Sequence, residues 1–342
     1  MKKLNLIILI SLIFVNVNSQ TIRIKAVGDI MLGSITPVKK LPKSHTVFPN
    51  AIANQLDEAD ITFGNLEGVF INRAVKPQKC SEASRKAKRC YEFGMPDTLS
   101  IALKKMHFNV VSMDNNHNSD YGYNGVNHTK ATLDKLNIKY AAKKSPTILT
   151  LEGKKIGVIA FGHSGTSYHV SNLTNTTKVI QELDKKCDLV IVSFHGGAEG
   201  FSAQHIYNKT EKYYGENRGN LIKFAHTAVD AGADLIIGHG PHVLRGIELY
   251  KNKLIMYSLG NFLTHGNVSL SGVKGIGAIM DIEINENTGD FEKGKIISSK
   301  QLGMGIPHLD TTNQSASVIK KLSQSDFPNS PLKINPEGYI SK

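Results

Sequence analysis

The 342-residue chain has no Trp, three Cys and only 11 Pro. Its aromatic packing must therefore rest on 13 Phe and 11 Tyr. Three cysteines are too few for a disulfide scaffold, and a chain of this length can bury a large core without one. Charged residues make up 20% and apolar residues 40%. That balance excludes collagen, a coiled coil and a mostly disordered chain. Length alone allows two domains. No linker or internal repeat separates two cores, so one domain of two packed sheets fits best. Long apolar runs are scarce too. The one at Leu6 to Val15, broken by Ser11, falls far short of the roughly 20 residues that a membrane span requires. It follows Lys2 and Lys3 and precedes the small residues Val17 and Ser19, the pattern of a secretory signal peptide over residues 1–19 cleaved near Ser19/Gln20. Such a peptide predicts an exported protein, periplasmic or otherwise extracytoplasmic.

Acidic residues are the scarcer charge: 29 against 41 basic, a formal charge of +12. The excess favours anionic partners. It is spread along the chain with no aromatic-interleaved basic motif, which argues against nucleic acid. In an exported chain, Cys80 and Cys90 bound a basic, apolar-poor excursion, so a Cys80–Cys90 disulfide is expected. Closing so short a loop contributes about 2–3 kcal/mol on the chain-entropy model. Cys187 opens an apolar run and reads as a buried free thiol.

Strands and helices alternate along the first half, and hairpins gather in the second. Strands are predicted at 22–27, 60–63, 109–113, 138–141, 188–193, 234–237, 274–284 and 292–299. Hairpins are predicted over 147–161 and 243–259. Helices are predicted at 51–59, 97–106, 125–136, 175–185 and 217–231, with a short one near 315–323. The alternation predicts an α/β sheet with helices outside, and the hairpins a second, partly antiparallel sheet. The folded domain is expected over 20–300, with a C-terminal extension over 301–342.

Polar residues of metal-ligand type sit at the predicted strand ends: Asp29, Asn65 and Glu67, Asn116 and His117, His195, His239 and His242, and Asn261. In α/β sheets, ligands bind beyond the carboxyl ends of strands, so these distant segments are expected to converge. Mixed carboxylate, amide and imidazole donors suit Zn, Mn or Fe rather than Ca. Ions held this way polarise a phosphoester and stabilise its developing charge.

These segments also resemble a known family. The residues are Ala26-Val27-Gly28-Asp29-Ile30-Met31-Leu32-Gly33, Gly64-Asn65-Leu66-Glu67-Gly68, Asn115-Asn116-His117 with Asp120-Tyr121-Gly122, Ser193-Phe194-His195-Gly196-Gly197-Ala198-Glu199, Gly238-His239-Gly240-Pro241-His242 and Tyr257-Ser258-Leu259-Gly260-Asn261-Phe262. Together they look like the CapA-type poly-γ-glutamate capsule biosynthesis proteins, of the calcineurin-like metallophosphoesterase superfamily. The resemblance runs in order over residues 22–284 and is specific at family level. It implies a four-layer α/β/β/α sandwich of the metallophosphoesterase type. By motif, Asp29 would bind a first divalent metal and Glu67 would bridge two. Asn116 and His195 would hold the second metal, and His239 and His242 would give one ligand to each. His117 would be the catalytic outer-sphere residue.

The chain departs from the pattern at Met31, where phosphoesterases of the superfamily carry His. The family often has His at the position of Gly240 and Trp at that of Gly197. The first metal is left with Asp29, Glu67 and His242, so the resemblance implies one or two ions per chain. The function implied is polymer biosynthesis in the capsule or cell envelope. It would be performed as a metal-dependent hydrolase of a phosphoester or, in the rival reading, as a non-catalytic binding or assembly factor. The partners implied are an acidic polymer such as poly-γ-glutamate, or a phosphoester substrate, and a membrane-bound capsule synthesis complex.

Overall fold

The computed structural model describes residues 20–72, 75–87 and 89–342. The expected signal segment 1–19 lies outside them. Among the described residues, no helix is long and apolar enough to cross a membrane.

Two mixed sheets form the body of the molecule, beside two small two-stranded ones. In the larger, four strands run parallel side by side: Lys139–Ala141, Val110–Ser112, Ile61–Leu66 and Thr21–Met31. Ile276–Asn285 and Phe291–Leu302 continue it antiparallel. The second sheet also has four parallel strands at its centre: Lys253–Met256, Leu235–His239, Leu189–His195 and Lys154–Phe161. Each of its edges is the antiparallel arm of a hairpin, Ile247–Tyr250 on one side and Thr147–Leu151 on the other.

Alternation along the strands sorts side chains into layers. Ile24, Phe63 and Val110 of the larger sheet share one buried cluster with Val158, Ile191, Ile237 and Met256 of the second. The sheets therefore pack face to face. Val27, Ile30 and Val111 point the other way, onto Phe48 and Leu103 of the short helices Val47–Ile52 and Ile101–Lys105. Val190 and Val192 likewise meet Ile180, Leu183, Phe224 and Ala228 of the helices Leu173–Asp184 and Leu221–Asp230. The order of layers is helix, sheet, sheet, helix. Side chains of Asn172 and Asn220 start the latter two helices, accepting from the backbone N–H groups of Asn175 and Lys223.

The structure departs from the sequence reading in places. The first strand does not stop at Gly28 but runs through a bulge to Met31. The strand Asn261–Thr264 pairs beside its end, and the Asp29 N–H donates to the Gly260 carbonyl (2.9 Å). A Cβ on Gly28 would stand 1.9 Å from that carbonyl oxygen, so only glycine admits this approach. The helix expected over 51–59 lies earlier, at Val47–Ile52, with one 3-10 turn at Ala53–Gln55. Pro49 is accommodated in its first turn, where no N–H is required. The helix expected from residue 217 starts at Leu221, because Glu211–Tyr213 and Glu216–Gly219 form a hairpin. Residue 300 falls inside the Phe291–Leu302 strand. Beyond it, Ile306–Leu309 and Tyr339–Ser341 pair with that strand, and the helix Gln314–Asp326 packs against it.

Cys80 and Cys90 are bonded to each other, and Cys187 is a half-buried free thiol. Peptide mapping of unreduced protein is expected to recover residues 80 and 90 in one linked pair. Replacing both by Ser should lower stability by about 2–3 kcal/mol in a denaturant titration.

Candidate metal centre

The parallel halves of the two sheets present their carboxyl ends to one place. Register sets the side chains abreast: Asp29 pairs with Asn65 on one side and Asn261 on the other, while His239 pairs with His195 in the facing sheet. Asp29 lies at the centre, fully buried. Its Oδ1 accepts from Asn65 Nδ2 at 2.8 Å and is 3.5 Å from His239 Nδ1. Its Oδ2 is 3.0 Å from His242 Nδ1. His242 Nε2 is 3.6 Å from Glu67 Oε1, and His195 Nε2 is 4.0 Å from the same oxygen. One donor atom each from Asp29, Glu67 and His242 lies within 4.8 Å of the others.

Local backbone geometry aims these groups. His242 sits at φ +57°, a conformation that non-glycine residues rarely take. The turn before it holds Gly240 at φ +112°, where a Cβ would meet the Gly196 carbonyl oxygen at 2.6 Å. A side chain at 240 is thereby excluded in this chain. His242 Nδ1 also lies 3.0 Å from Asn261 Oδ1, and Asn261 Nδ2 donates back to the His242 carbonyl at 3.3 Å. Asn115 braces the loop after Val110–Ser112 by donating to Asn65 Oδ1 (3.0 Å) and the Leu66 carbonyl (2.9 Å). The next residue, Asn116, takes the amine of Lys79 on its own carbonyl (2.8 Å).

A cation can be tested against the donors present. Buried polar atoms in native proteins nearly always have a partner. Here Glu67 Oε1, Asn116 Oδ1, His195 Nε2 and both ring nitrogens of His239 are buried with no hydrogen-bond partner. Two carboxylates, an amide and three imidazoles form the mixed oxygen and nitrogen set that suits Mn, Zn or Fe. The residues fit a divalent ion.

Electrostatics follow from the burial. Desolvation opposes the Asp29 charge, yet the neighbouring imidazoles of His239 and His242 hold its carboxyl well below the usual carboxylate range. Burial pushes the Glu67 carboxyl up to about 8. Desolvation also disfavours a charged His242, but Glu67 and Asp29 outweigh it and raise that imidazole to about 10. Burial, helped by His163, His242 and Arg218 and opposed by Asp29, carries His195 well below its ordinary value.

His117 stands at the edge of the cluster. Its Nδ1 is 2.7 Å from Asp120 Oδ2, and Phe93 lies against its ring with centroids 4.4 Å apart. Burial lowers its pKa, with Asp120 opposing. A cavity of about 460 Å³ opens over the group, lined by Met31, Glu67, His117 and His242, and walled by Tyr91, Phe93, Tyr213 and Lys274.

The structure thus brings Asp29, Glu67, His195, His239 and His242 together. Asn116 and His117 occupy the adjoining loop. Three contributors were not singled out as site residues from sequence. Asn65 and Asn261 flank Asp29 in register, and their place in the strand-end clusters was the available signal. Asp120 holds His117, and its spacing of three residues on the same loop was the signal.

Over residues 23–265 the chain matches the family described as Bacterial capsule synthesis protein PGA_cap. It is 28% identical over 256 residues to the PGA biosynthesis protein CapA of Bacillus subtilis, with 69% of this chain and 62% of that protein covered. It is 26% identical over 259 residues to the capsule biosynthesis protein CapA of Bacillus anthracis, covering 69% and 58%. The chain therefore spans only about three fifths of the length of these relatives. Among solved structures, a hypothetical protein from Thermus thermophilus superposes with a TM-score of 0.48 at 13% identity, covering 82% of this chain and 99% of that one. The match to the family spans most of the chain and contains every residue of the cluster: this protein belongs to the PGA_cap family of bacterial capsule synthesis proteins.

Proposed function

We propose that this protein is an exported, metal-dependent hydrolase of capsule or cell-envelope polymer biosynthesis, acting on a phosphoester or on an acidic polymer of the poly-γ-glutamate type. The observation that carries this reading is the set of buried, partnerless donor atoms on Glu67, Asn116, His195 and His239 beneath an open cavity. Asp29, Glu67 and His242 would hold one ion. Glu67, Asn116, His195 and His239 would hold the other. A divalent ion supplies Lewis-acid polarisation and stabilises charge developing on the substrate.

The rest falls to the chain's own groups. Asp120 fixes the His117 ring through Nδ1, which leaves Nε2 to take up or return a proton beside the cavity. Lys274 places a cation in the wall for an anionic substrate, and Tyr91, Phe93 and Tyr213 give that wall apolar surface. The disulfide and the expected signal segment both support export, since disulfides persist in oxidising compartments. Family membership supports a role in capsule synthesis, for which this reading implies a membrane-bound synthesis complex as partner.

The deciding experiment incubates purified protein with Mn²⁺ or Zn²⁺ and presents phosphodiesters, phosphomonoesters and poly-γ-glutamate. Turnover is expected to stop on chelation and in His195→Ala. His117→Ala should lose about 100-fold or more in rate while keeping its metal. Polymer binding without turnover, indifferent to chelator, would instead favour the non-catalytic assembly factor.

Metal uptake should also be coupled to protons. Without an ion, the Glu67–His242 pair holds at least one proton at pH 7, since burial raises Glu67 and the neighbouring carboxylates raise His242. A ligand must lose its proton to bind. Affinity is therefore expected to fall as pH drops from 8 to 6, by up to tenfold per unit for each proton released. Calorimetry in two buffers of different ionisation enthalpy counts those protons.

A further inference from the structure

Asp29, Glu67 and His242 offer an ion three donors, one fewer than Glu67, Asn116, His195 and His239 would offer the other. Met31, two residues beyond Asp29, is buried at the cavity and offers only a thioether, a poor partner for Mn, Zn or Fe beside carboxylates and imidazoles. Glu199 lines the same cavity. We propose that Glu199 is the missing ligand of this position, a carboxylate supplied from another strand end in place of the imidazole absent at Met31. The inference rests on the metal-centre reading above.

Two observations carry it. The first is the orientation of the carboxylate. Glu199 Oε1 accepts from Arg218 Nη1 at 3.2 Å, and the Arg218 side chain is itself buried. Arg218 is fixed in turn by Glu216 Oε2 at 2.9 Å and lies over the Tyr213 ring. One oxygen of Glu199 is thus anchored, and the other turns toward the cluster, with Oε2 4.0 Å from His242 Nε2. That nitrogen is also the neighbour of Glu67 Oε1 at 3.6 Å, an oxygen buried without a hydrogen-bond partner. An Arg218 salt bridge alone would account for the first oxygen and not the second.

The second is the rigidity of the loop. The Gly196 N–H donates to the His239 carbonyl and the Gly200 N–H to the Pro241 carbonyl, both at 2.9 Å. These bonds bracket Glu199 and tie it to the turn that carries His242. Between them, the Ala198 N–H donates to Glu211 Oε2 at 2.9 Å. Glu211 is itself held by two nitrogens of the fully buried Arg245. Ligands held on a fixed frame bind without paying to be ordered first. Three carboxylates around the position also favour a divalent cation over a neutral occupant.

The test uses Mn²⁺ alone, by equilibrium dialysis with elemental analysis, on the unmodified protein, Glu199→Gln, and Glu199→Gln combined with Met31→His. Glutamine keeps an oxygen for Arg218, and thermal melting checks that each variant is folded. The unmodified protein is expected to take two ions. In Glu199→Gln one of them should loosen by about tenfold or more, while the other, removed by His195→Ala, is unchanged. Met31→His should restore the loosened ion, because the imidazole then does the work of the carboxylate. Two ions held by Glu199→Gln as tightly as by the unmodified protein would overturn the assignment, as would a folded double variant with no recovery. An unmodified protein that takes no Mn²⁺ at all would overturn the metal-centre reading itself.

Discussion

A carboxylate with no access to water governs this structure. Burying the charge of Asp29 costs several kcal/mol unless it is paired and hydrogen-bonded. Asn65, His239 and His242 meet that demand from three separate segments, and none can withdraw without leaving the others poorly satisfied. The need to surround one charge thus fixes how the ends of the two sheets meet. It also explains the left-handed backbone at His242, since strain of that kind persists where the surroundings over-determine it.

A second centre of organisation lies at Asp120. One oxygen holds His117 Nδ1 and also accepts from the Phe93 N–H at 2.7 Å. The other faces the Lys79 amine at 3.1 Å. Lys79 precedes Cys80, and Phe93 follows Cys90. On the same excursion Glu92 binds the Cys80 N–H and the guanidinium of Arg85. The residues flanking the disulfide therefore reach the cavity wall, where Tyr91 and Phe93 stand, and join His117 through a single buried carboxylate. This gives the cysteine pair a consequence beyond loop closure: it steadies the ring that the proposed chemistry uses.

The proposed centre is asymmetric. In the proposed reading, one position would draw its donors from four strand ends in both sheets. The other would lie against Met31 and depend on what the Gly196–Gly200 loop brings to it. The protons on Glu67 and His242 belong to this side, where a cation would compete with them for the same atoms. Departures from a family pattern are thus best judged at the cavity, where a loop from elsewhere can stand in for a residue missing from a strand.

Local pattern alone determined the strands, the helices and the clustering of donors at strand ends. A strand that must bury one face announces itself by alternation, and a polar run directly after it has few structural uses. Asp29, Glu67, His195, His239 and His242 were legible for that reason, and so was the cysteine pair. The sequence could not place what depends on partners distant along the chain. Thr21–Met31 outruns its own pattern because Gly260 meets it across a gap that only glycine leaves. The hairpin ahead of Leu221 was hidden because its Arg and Glu side chains serve buried ion pairs, not a strand face. The second oxygen of Glu199 is aimed by Arg218, 19 residues away, and by bonds to the turn at Pro241. Residue type and spacing set which groups are available to a site. Orientation is decided only when separate loops share their backbone hydrogen bonds in the folded molecule.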